Sequence, residues 1–223
     1  MGEERNSIMH DFEYVSKEEY MPEKTKIIQL LQDVQRDLKL KMNIHFKFVG
    51  SASRNMITRD RKSNIGYDFD VNISVDDIDD YKPKFLRTEI KKSIDKYADK
   101  YGYSPCENST SVLTIKVKDT KKSKILHSCD FAIVDEYEDE NEELQQDYIR
   151  FNKKDNSYGW YSRSMSLDEI RFKIDWLKDN GYWQDVRNQY IENKNKNDNP
   201  DVKSRSVFSY TVSEVFNWYY EEQ

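Results

Sequence analysis

Four short stretches of the chain alternate apolar and polar residues with a period of two, and no other feature constrains the fold as strongly. They cover residues 43–49, 67–75, 112–118 and 125–134. Because successive side chains of a strand point to opposite faces, each stretch predicts a β-strand with one buried face. Apolar residues at helical spacing over residues 23–40 and 84–99 predict two helices. We therefore predict one mixed sheet with both helices packed on its apolar face.

The rest of the chain follows other patterns. Beyond residue 155 apolar residues recur at helical spacing, as in Ile170, Ile174 and Leu177, which predicts a small helical region over residues 156–223. Residues 1–22 are interpreted as a polar leader and residues 23–155 as the sheet-containing core. Seven acids and no base in residues 135–143 predict a solvated loop, since like charges repel. The predicted fold class is α+β.

Composition excludes several classes of protein. Charged residues make up 35 % of the chain, but 16 Tyr, 10 Phe and 4 Trp supply the apolar area that a folded core needs. No apolar run approaches the roughly 20 residues that span a membrane, and the acidic start does not resemble a signal peptide. We therefore expect a cytoplasmic protein without a membrane partner. The net charge of −6 disfavours a nucleic-acid partner, although a local basic patch would still allow one.

Acidic residues occupy polar positions of two predicted strands. Asp68 and Asp70 alternate with apolar residues in one strand, and Asp130 does so in another. Neighbouring carboxylates repel one another, so such a group normally needs a cation or a shared proton. Carboxylate oxygens suit Mg²⁺ or Mn²⁺, and a pair of such ions can hold the attacking and leaving oxygens of a phosphoryl transfer. We predict that these three acids bind metal; the alternative is that they only make a strand soluble.

A Gly-Ser pair ends the first predicted strand. Gly50 would let the backbone approach a phosphate closely, and the Ser51 hydroxyl would bind its oxygens, or would simply cap a helix. The segment that follows, residues 52–67, contains four bases, Arg54, Arg59, Arg61 and Lys62. This basic segment is interpreted either as a solvated surface or as a clamp on the substrate.

Together these segments resemble the signature of the nucleotidyltransferase superfamily that includes DNA polymerase beta. They read Phe48-Val-Gly-Ser51, Tyr67-Asp-Phe-Asp-Val71 and Cys129-Asp-Phe-Ala-Ile133, in the family's order. The resemblance covers residues 25–134. It implies an NTP substrate, Mg²⁺ (or Mn²⁺) as cofactor and catalysis by Asp68, Asp70 and Asp130. It also implies nucleotide contacts from Gly50, Ser51 and Arg54.

A second likeness lies downstream. Gly159-Trp-Tyr-Ser162 and Phe208-Ser-Tyr-Thr-Val-Ser-Glu-Val215 resemble the helical half of oligoadenylate synthetases and cyclic-oligonucleotide synthases. This resemblance implies nucleotide contacts from Ser209 and Tyr210. It also implies transfer of NMP from an NTP to an acceptor oxygen, with release of pyrophosphate and formation of an oligonucleotide or cyclic nucleotide. Three alternatives stay open: modification of a small molecule, modification of a protein or tRNA end, and nucleotide binding without turnover. The acceptor itself is not predicted.

Overall fold

The computed structural model describes residues 10–163 and 168–220, which divide into two compact units. Of the described residues, unit 2, the larger, comprises 15–57 and 64–163, and unit 1 comprises 10–14, 58–63 and 168–220. In chain order the elements are β1 (Phe12–Tyr14), α1 (Lys17–Leu38), β2 (Ile44–Val49), α2 (Gly50–Ser53), β3 (Thr58–Asp60), β4 (Ile65–Val75), α3 (Pro83–Ala98), β5 (Glu107–Asn108), β6 (Leu113–Asp119), β7 (Lys124–Glu138), β8 (Leu144–Asn152), β9 (Ser157–Arg163), α4 (Asp168–Asp179), α5 (Trp183–Lys196) and α6 (Ser204–Tyr220).

The larger unit is built on one sheet with the strand order β2-β4-β7-β6-β5. Strands β4 and β7 are parallel, whereas the other neighbours are antiparallel, so the sheet is mixed. All four predicted strands belong to it. The end of β7 also pairs with β8, which in turn pairs with β9. The prediction of a mixed sheet is confirmed.

Helices α1 and α3 cover the apolar face of this sheet. Ile27 and Leu31 of α1, and Ile90 of α3, form one fully buried cluster with Phe69 of β4 and Phe131 of β7. These are the positions that the two periodicities assign to buried faces. The α+β fold class is confirmed. Among residues 10–163 and 168–220, the structure contains no helix of the length and hydropathy that a bilayer requires.

The first helix begins earlier than the sequence analysis predicts. Helix α1 starts at Lys17, where the Ser16 side chain accepts a hydrogen bond from the Glu19 backbone N–H, 3.3 Å away. A serine followed three residues later by a glutamate is a capping box, the start signal that the analysis overlooked. Pro22 consequently lies inside the helix and not at its beginning. The polar leader therefore ends in a strand and the first turns of a helix.

Two further corrections concern the segment after β7. Residues 135–143 are not simply a solvated loop, because β7 continues to Glu138 and forms a hairpin with β8 that pairs Asp135 with Asp147. Residues 157–163 form strand β9, although the analysis placed them in the helical region. In β9, Tyr158 and Trp160 pack against the core. Their spacing of two residues is the strand signal that was missed.

The smaller unit contains α4, α5 and α6 together with the two-stranded sheet β1-β3. The predicted apolar stripes of these helices are buried at Leu177, Val186 and Val212. Phe12 of β1 ties the strands to α5: its backbone N–H donates to the Asn195 side-chain oxygen over 2.6 Å. Residues 10–14 and 58–63 thus belong structurally with the C-terminal helices, a grouping that the local patterns do not reveal.

Candidate active site

Three aspartates lie on neighbouring strands of the larger unit, on the sheet face opposite the core. Strands β4 and β7 run parallel in a register that pairs Asp68 with Ser128 and Asp70 with Asp130. Neighbouring strands lie about 4.8 Å apart, and side chains at paired positions point to the same face. Asp70 and Asp130 therefore project side by side, with Asp68 two residues away on the same face of β4.

Two hydroxyl groups contact these carboxylates, and the sequence analysis did not identify either. The Thr114 hydroxyl on β6 donates a hydrogen bond to Asp130 Oδ1 over 2.6 Å. The Ser128 hydroxyl on β7 donates to Asp68 Oδ1. Both hydroxyls occupy positions directly across the strand pair from the acid that they contact. Only the strand register shows this, since the distance along the chain gives no such signal.

The environment of the acids shifts the pKa of Asp130 and of the neighbouring Cys129. Burial raises the pKa of Asp130, and the negative charge of Asp68 raises it further, while the hydrogen bond from Thr114 opposes the shift. On the core side of the sheet, burial raises the pKa of the Cys129 thiol, with added contributions from Asp130, Asp70 and Asp68. A concentration of negative charge on one short patch of sheet attracts cations.

The donor set suits a hard divalent cation, although a cage is not preformed. Within the described ranges 10–163 and 168–220, no three His, Cys, Asp or Glu side chains group closely enough to hold a metal ion. Asp68 and Asp130 each direct one oxygen at a hydroxyl. Carboxylate oxygens are nevertheless the ligands that Mg²⁺ and Mn²⁺ prefer. The ligand type of Asp68, Asp70 and Asp130 therefore suits Mg²⁺ or Mn²⁺.

Gly50, the first residue of the Gly-Ser pair, lies directly against one of the acids. Strand β2 ends at Val49, and Gly50 begins the four-residue helix α2 with a φ of 61°, in the left-handed region. A Cβ placed on Gly50 would lie 2.5 Å from Asp70 Oδ2. Glycine is therefore needed for the backbone conformation and also for the close approach of the carboxylate. Ser51 follows in α2 and is partly buried.

The four bases of residues 52–67 are divided between the two units. Arg54 ends α2 in the larger unit and is partly buried, near Gly50 in the chain. Arg59 and Arg61 belong to the smaller unit, where Arg59 Nε lies 2.7 Å from Glu13 Oε1 and Arg61 Nε 2.9 Å from Asp11 Oδ2. The hydrogen bond from Arg61 lowers the pKa of Asp11. These pairs favour the surface interpretation for Arg59 and Arg61.

Ser209 and Tyr210 lie on α6 in the smaller unit, whereas the aspartates, Gly50, Ser51 and Arg54 lie in the larger one. Tyr210 is 61 % exposed, and its hydroxyl donates to Glu214 Oε1 over 3.3 Å. This bond joins the tyrosine and the glutamate of the Ser-Tyr-x-x-x-Glu segment along one face of the helix. An exposed ring of this kind is available for stacking.

Comparison with solved structures identifies the fold. The chain superposes on the GTP-bound Vibrio cholerae DncV with a TM-score of 0.55 and 18 % identity, over 91 % of this chain and 52 % of that one. Another DncV structure is a cyclic AMP-GMP synthase in complex with the linear intermediate 5′ pppA(3′,5′)pG, with a TM-score of 0.51, 17 % identity and the same coverage of 91 % and 52 %. The STING-associated CdnE c-di-GMP synthase of Capnocytophaga granulosa gives a TM-score of 0.54 and 15 % identity, over 90 % and 60 %.

The chain has a nucleotidyltransferase fold. The predicted resemblance to cyclic-oligonucleotide synthases is confirmed at the level of the fold. The chain spans only about half to three-fifths of the length of these structures. No protein-family model matches the sequence, and neither does any curated protein. At identities of 15 and 18 % the relationship is visible in the backbone arrangement and not in the overall sequence.

Proposed function

We propose that the protein is a metal-dependent nucleotidyltransferase that moves NMP from an NTP to an acceptor oxygen and releases pyrophosphate. The pairing of Asp70 with Asp130 on adjacent parallel strands is the single observation that carries this proposal. Gly50 lies against the Asp70 carboxylate. The Gly-Ser segment that would approach a phosphate and the aspartates therefore lie at the same end of the sheet. An NTP requires both, because its phosphates need donors and its charge needs cations.

Each residue has a role in the proposed reaction. Gly50 would let the triphosphate approach the backbone, the Ser51 hydroxyl would donate to a phosphate oxygen, and Arg54 would add positive charge. Asp68, Asp70 and Asp130 would hold Mg²⁺ or Mn²⁺. When bound, these ions would neutralise the triphosphate and stabilise the charge that develops during displacement.

Asp130 would also act on the acceptor, by taking the proton of its attacking oxygen. The acceptor oxygen would bond to the α-phosphorus as the bond to the pyrophosphate oxygen breaks, and its proton would pass to the Asp130 carboxylate. A carboxylate positioned beside the acceptor oxygen would serve as the general base for this transfer. The hydroxyls of Thr114 and Ser128 remain outside this transfer.

The product that we propose is an oligonucleotide or cyclic nucleotide, so that the acceptor is the hydroxyl of a second nucleotide. The fold likeness to synthases of cyclic AMP-GMP and c-di-GMP supports this choice over a small-molecule, protein or tRNA acceptor. Ser209 and Tyr210 would bind the nucleotide, with the exposed Tyr210 ring stacking on a base. A cytoplasmic location would follow, since the reaction draws on the NTP pool.

The test is to incubate the protein with each labelled NTP and Mg²⁺ or Mn²⁺ and to resolve the products by mass spectrometry while pyrophosphate is measured. Asp70→Asn should abolish turnover. In a thermal-shift assay, Mg²⁺ with NTP should raise the Tm of the parent protein more than that of the variant. Without metal the variant should be as stable as the parent or slightly more so, because one repelling charge is gone.

Asp119→Asn is the matched control. It removes the same charge at the turn after β6, where Asp119 accepts backbone N–H bonds that asparagine also accepts. This control should keep full activity and the full ligand-induced shift. Equal activity and equal shifts in parent and Asp70→Asn would remove Asp70 from the site and overturn the proposal. A modified small molecule as the only product would keep the transferase chemistry and reject the nucleotide acceptor.

A further inference from the structure

The same contact occurs twice on the acidic face of the sheet. Thr114 on β6 is paired with Asp130 on β7, and Ser128 on β7 is paired with Asp68 on β4. In both pairs the hydroxyl donates its hydrogen to Oδ1 of the aspartate on the neighbouring strand. Two of the three acids are thus each contacted by a hydroxyl across one strand spacing, at directly opposed positions.

These hydroxyls lie where they can orient a carboxylate. Ser128 is buried, with 6 % of its surface exposed, and Thr114 is partly buried within β6. Threonine is branched at Cβ and therefore stiff about χ1, so its hydroxyl has few alternative directions. A hydroxyl carries a single hydrogen, and a bond from it to an ionised oxygen is stronger than one between neutral groups. The bond to Oδ1 therefore fixes the plane of each carboxylate.

One oxygen of each carboxylate accepts this bond, and the other remains available for a further ligand. Turning the plane of the carboxylate away from the hydroxyl would break the bond. The hydroxyl thus couples the orientation of the acid to the position of the neighbouring strand. Partners that orient a metal ligand in this way usually change metal affinity or activity by about 10- to 100-fold when they are removed.

We propose that Thr114 and Ser128 are positioning residues, which orient Asp130 and Asp68 so that the second oxygen of each carboxylate faces a divalent cation. This inference rests on the proposed function, because it assumes that the two aspartates bind the cation. A purely structural role for the hydroxyls makes a different prediction. In that case, removing the hydroxyls would lower the stability of the sheet and leave metal affinity unchanged.

The probe is Mn²⁺, whose free concentration is measured by electron paramagnetic resonance during titration of the protein. Thr114→Val keeps the size and β-branching of the side chain but removes the donor, and should weaken Mn²⁺ binding by about 10-fold or more. Thr114→Ser keeps a hydroxyl donor, and its Mn²⁺ affinity should be within about 3-fold of that of the parent. In turnover assays Thr114→Val should lower kcat and leave the KM for NTP close to that of the parent.

A double-mutant cycle separates orientation from general packing. In an Asp130→Asn background, Thr114→Val should weaken Mn²⁺ binding no further, because the carboxylate that it orients is already gone. Ser128→Ala should reproduce the loss at Asp68 and supplies a second variant if Thr114→Val does not fold. Ser74→Ala is its control, since Ser74 lies on the same face of β4 and is paired with His45 and not with an acid.

Each outcome decides a different point. If the parent binds Mn²⁺ and Thr114→Val and Ser128→Ala bind it equally well, the inference is wrong while the proposed function stands. A lower Tm with unchanged Mn²⁺ affinity would assign the hydroxyls a structural role only. If the parent shows neither Mn²⁺ binding nor a Mn²⁺-dependent thermal shift with a non-hydrolysable GTP analogue, the proposed metal dependence fails, and the inference fails with it.

Discussion

Gly50→Ala gives a sharp test of the candidate site, because the structure predicts a small loss of stability and a large loss of activity. Gly50 has a φ of 61°, and an alanine there would lie in the left-handed region, at a cost of about 1–2 kcal/mol. Its methyl group would also lie 2.5 Å from Asp70 Oδ2, whereas ordinary contact begins at 3.4 Å. The Asp70 carboxylate would therefore have to move by about 1 Å or leave its rotamer.

The two consequences differ in size. Displacing the end of one side chain costs about 0.5–1.5 kcal/mol, so we expect Gly50→Ala to lose about 1.5–3.5 kcal/mol of unfolding free energy in total. A misplacement of about 1 Å at a reacting centre lowers turnover by about 100-fold. Urea unfolding followed by tryptophan fluorescence measures the first quantity, and pyrophosphate release at saturating NTP and Mg²⁺ measures the second.

Gly102→Ala is the matched control. Gly102 also has a positive φ, of 82°, but a Cβ there would meet nothing within 4 Å. This variant should lose about 1–2 kcal/mol of stability from the backbone conformation alone and keep the activity of the parent. If Gly50→Ala is folded and turns over NTP as fast as Gly102→Ala, the contact between Gly50 and Asp70 has no catalytic importance, and the proposed geometry is refuted.

Two further predictions concern the stability of the larger unit, which contains the candidate site. Arg87 is 1 % exposed, and burial lowers its pKa to about 10. It donates hydrogen bonds to the Asn108 side chain and to the backbone carbonyls of Ile149, Ser109 and Val112. Arg87→Met should lower the free energy of unfolding in urea by about 2–4 kcal/mol because those acceptors lose their donor, and a loss below about 1 kcal/mol would contradict this. Hydrogen bonds from Lys100 and Tyr101 lower the pKa of Asp33 to about 2. Because this folded-state pKa lies below the unfolded value of about 3.9, Asp33 stabilises the fold above pH 4, and that contribution disappears as the pH falls towards 2. The difference in urea midpoint between the parent and Asp33→Asn should therefore shrink over this pH window, and a constant difference would contradict the assignment.

Local patterns in the sequence determined which side chains share a face. The alternation in residues 67–75 placed Asp68 and Asp70 opposite Phe69, and the same rule placed Asp130 opposite Phe131, because the direction of a strand side chain depends only on its position along the strand. The Gly-Ser pair at the end of β2 was recognisable for a similar reason. The order of the motifs along the chain sufficed to predict a nucleotidyltransferase fold, which the solved structures confirm.

Only the tertiary structure decided which residues meet. Whether Asp68 or Asp70 faces Asp130 depends on the register of β4 against β7. The contacts of Thr114 and Ser128 with the acids follow from the same register. The membership of residues 10–14 and 58–63 in the smaller unit depends on pairing between segments far apart in the chain. A short stretch of sequence determines the face to which a side chain points. It does not determine which residue lies opposite on the next strand, because the strand register depends on the free energy of the entire core.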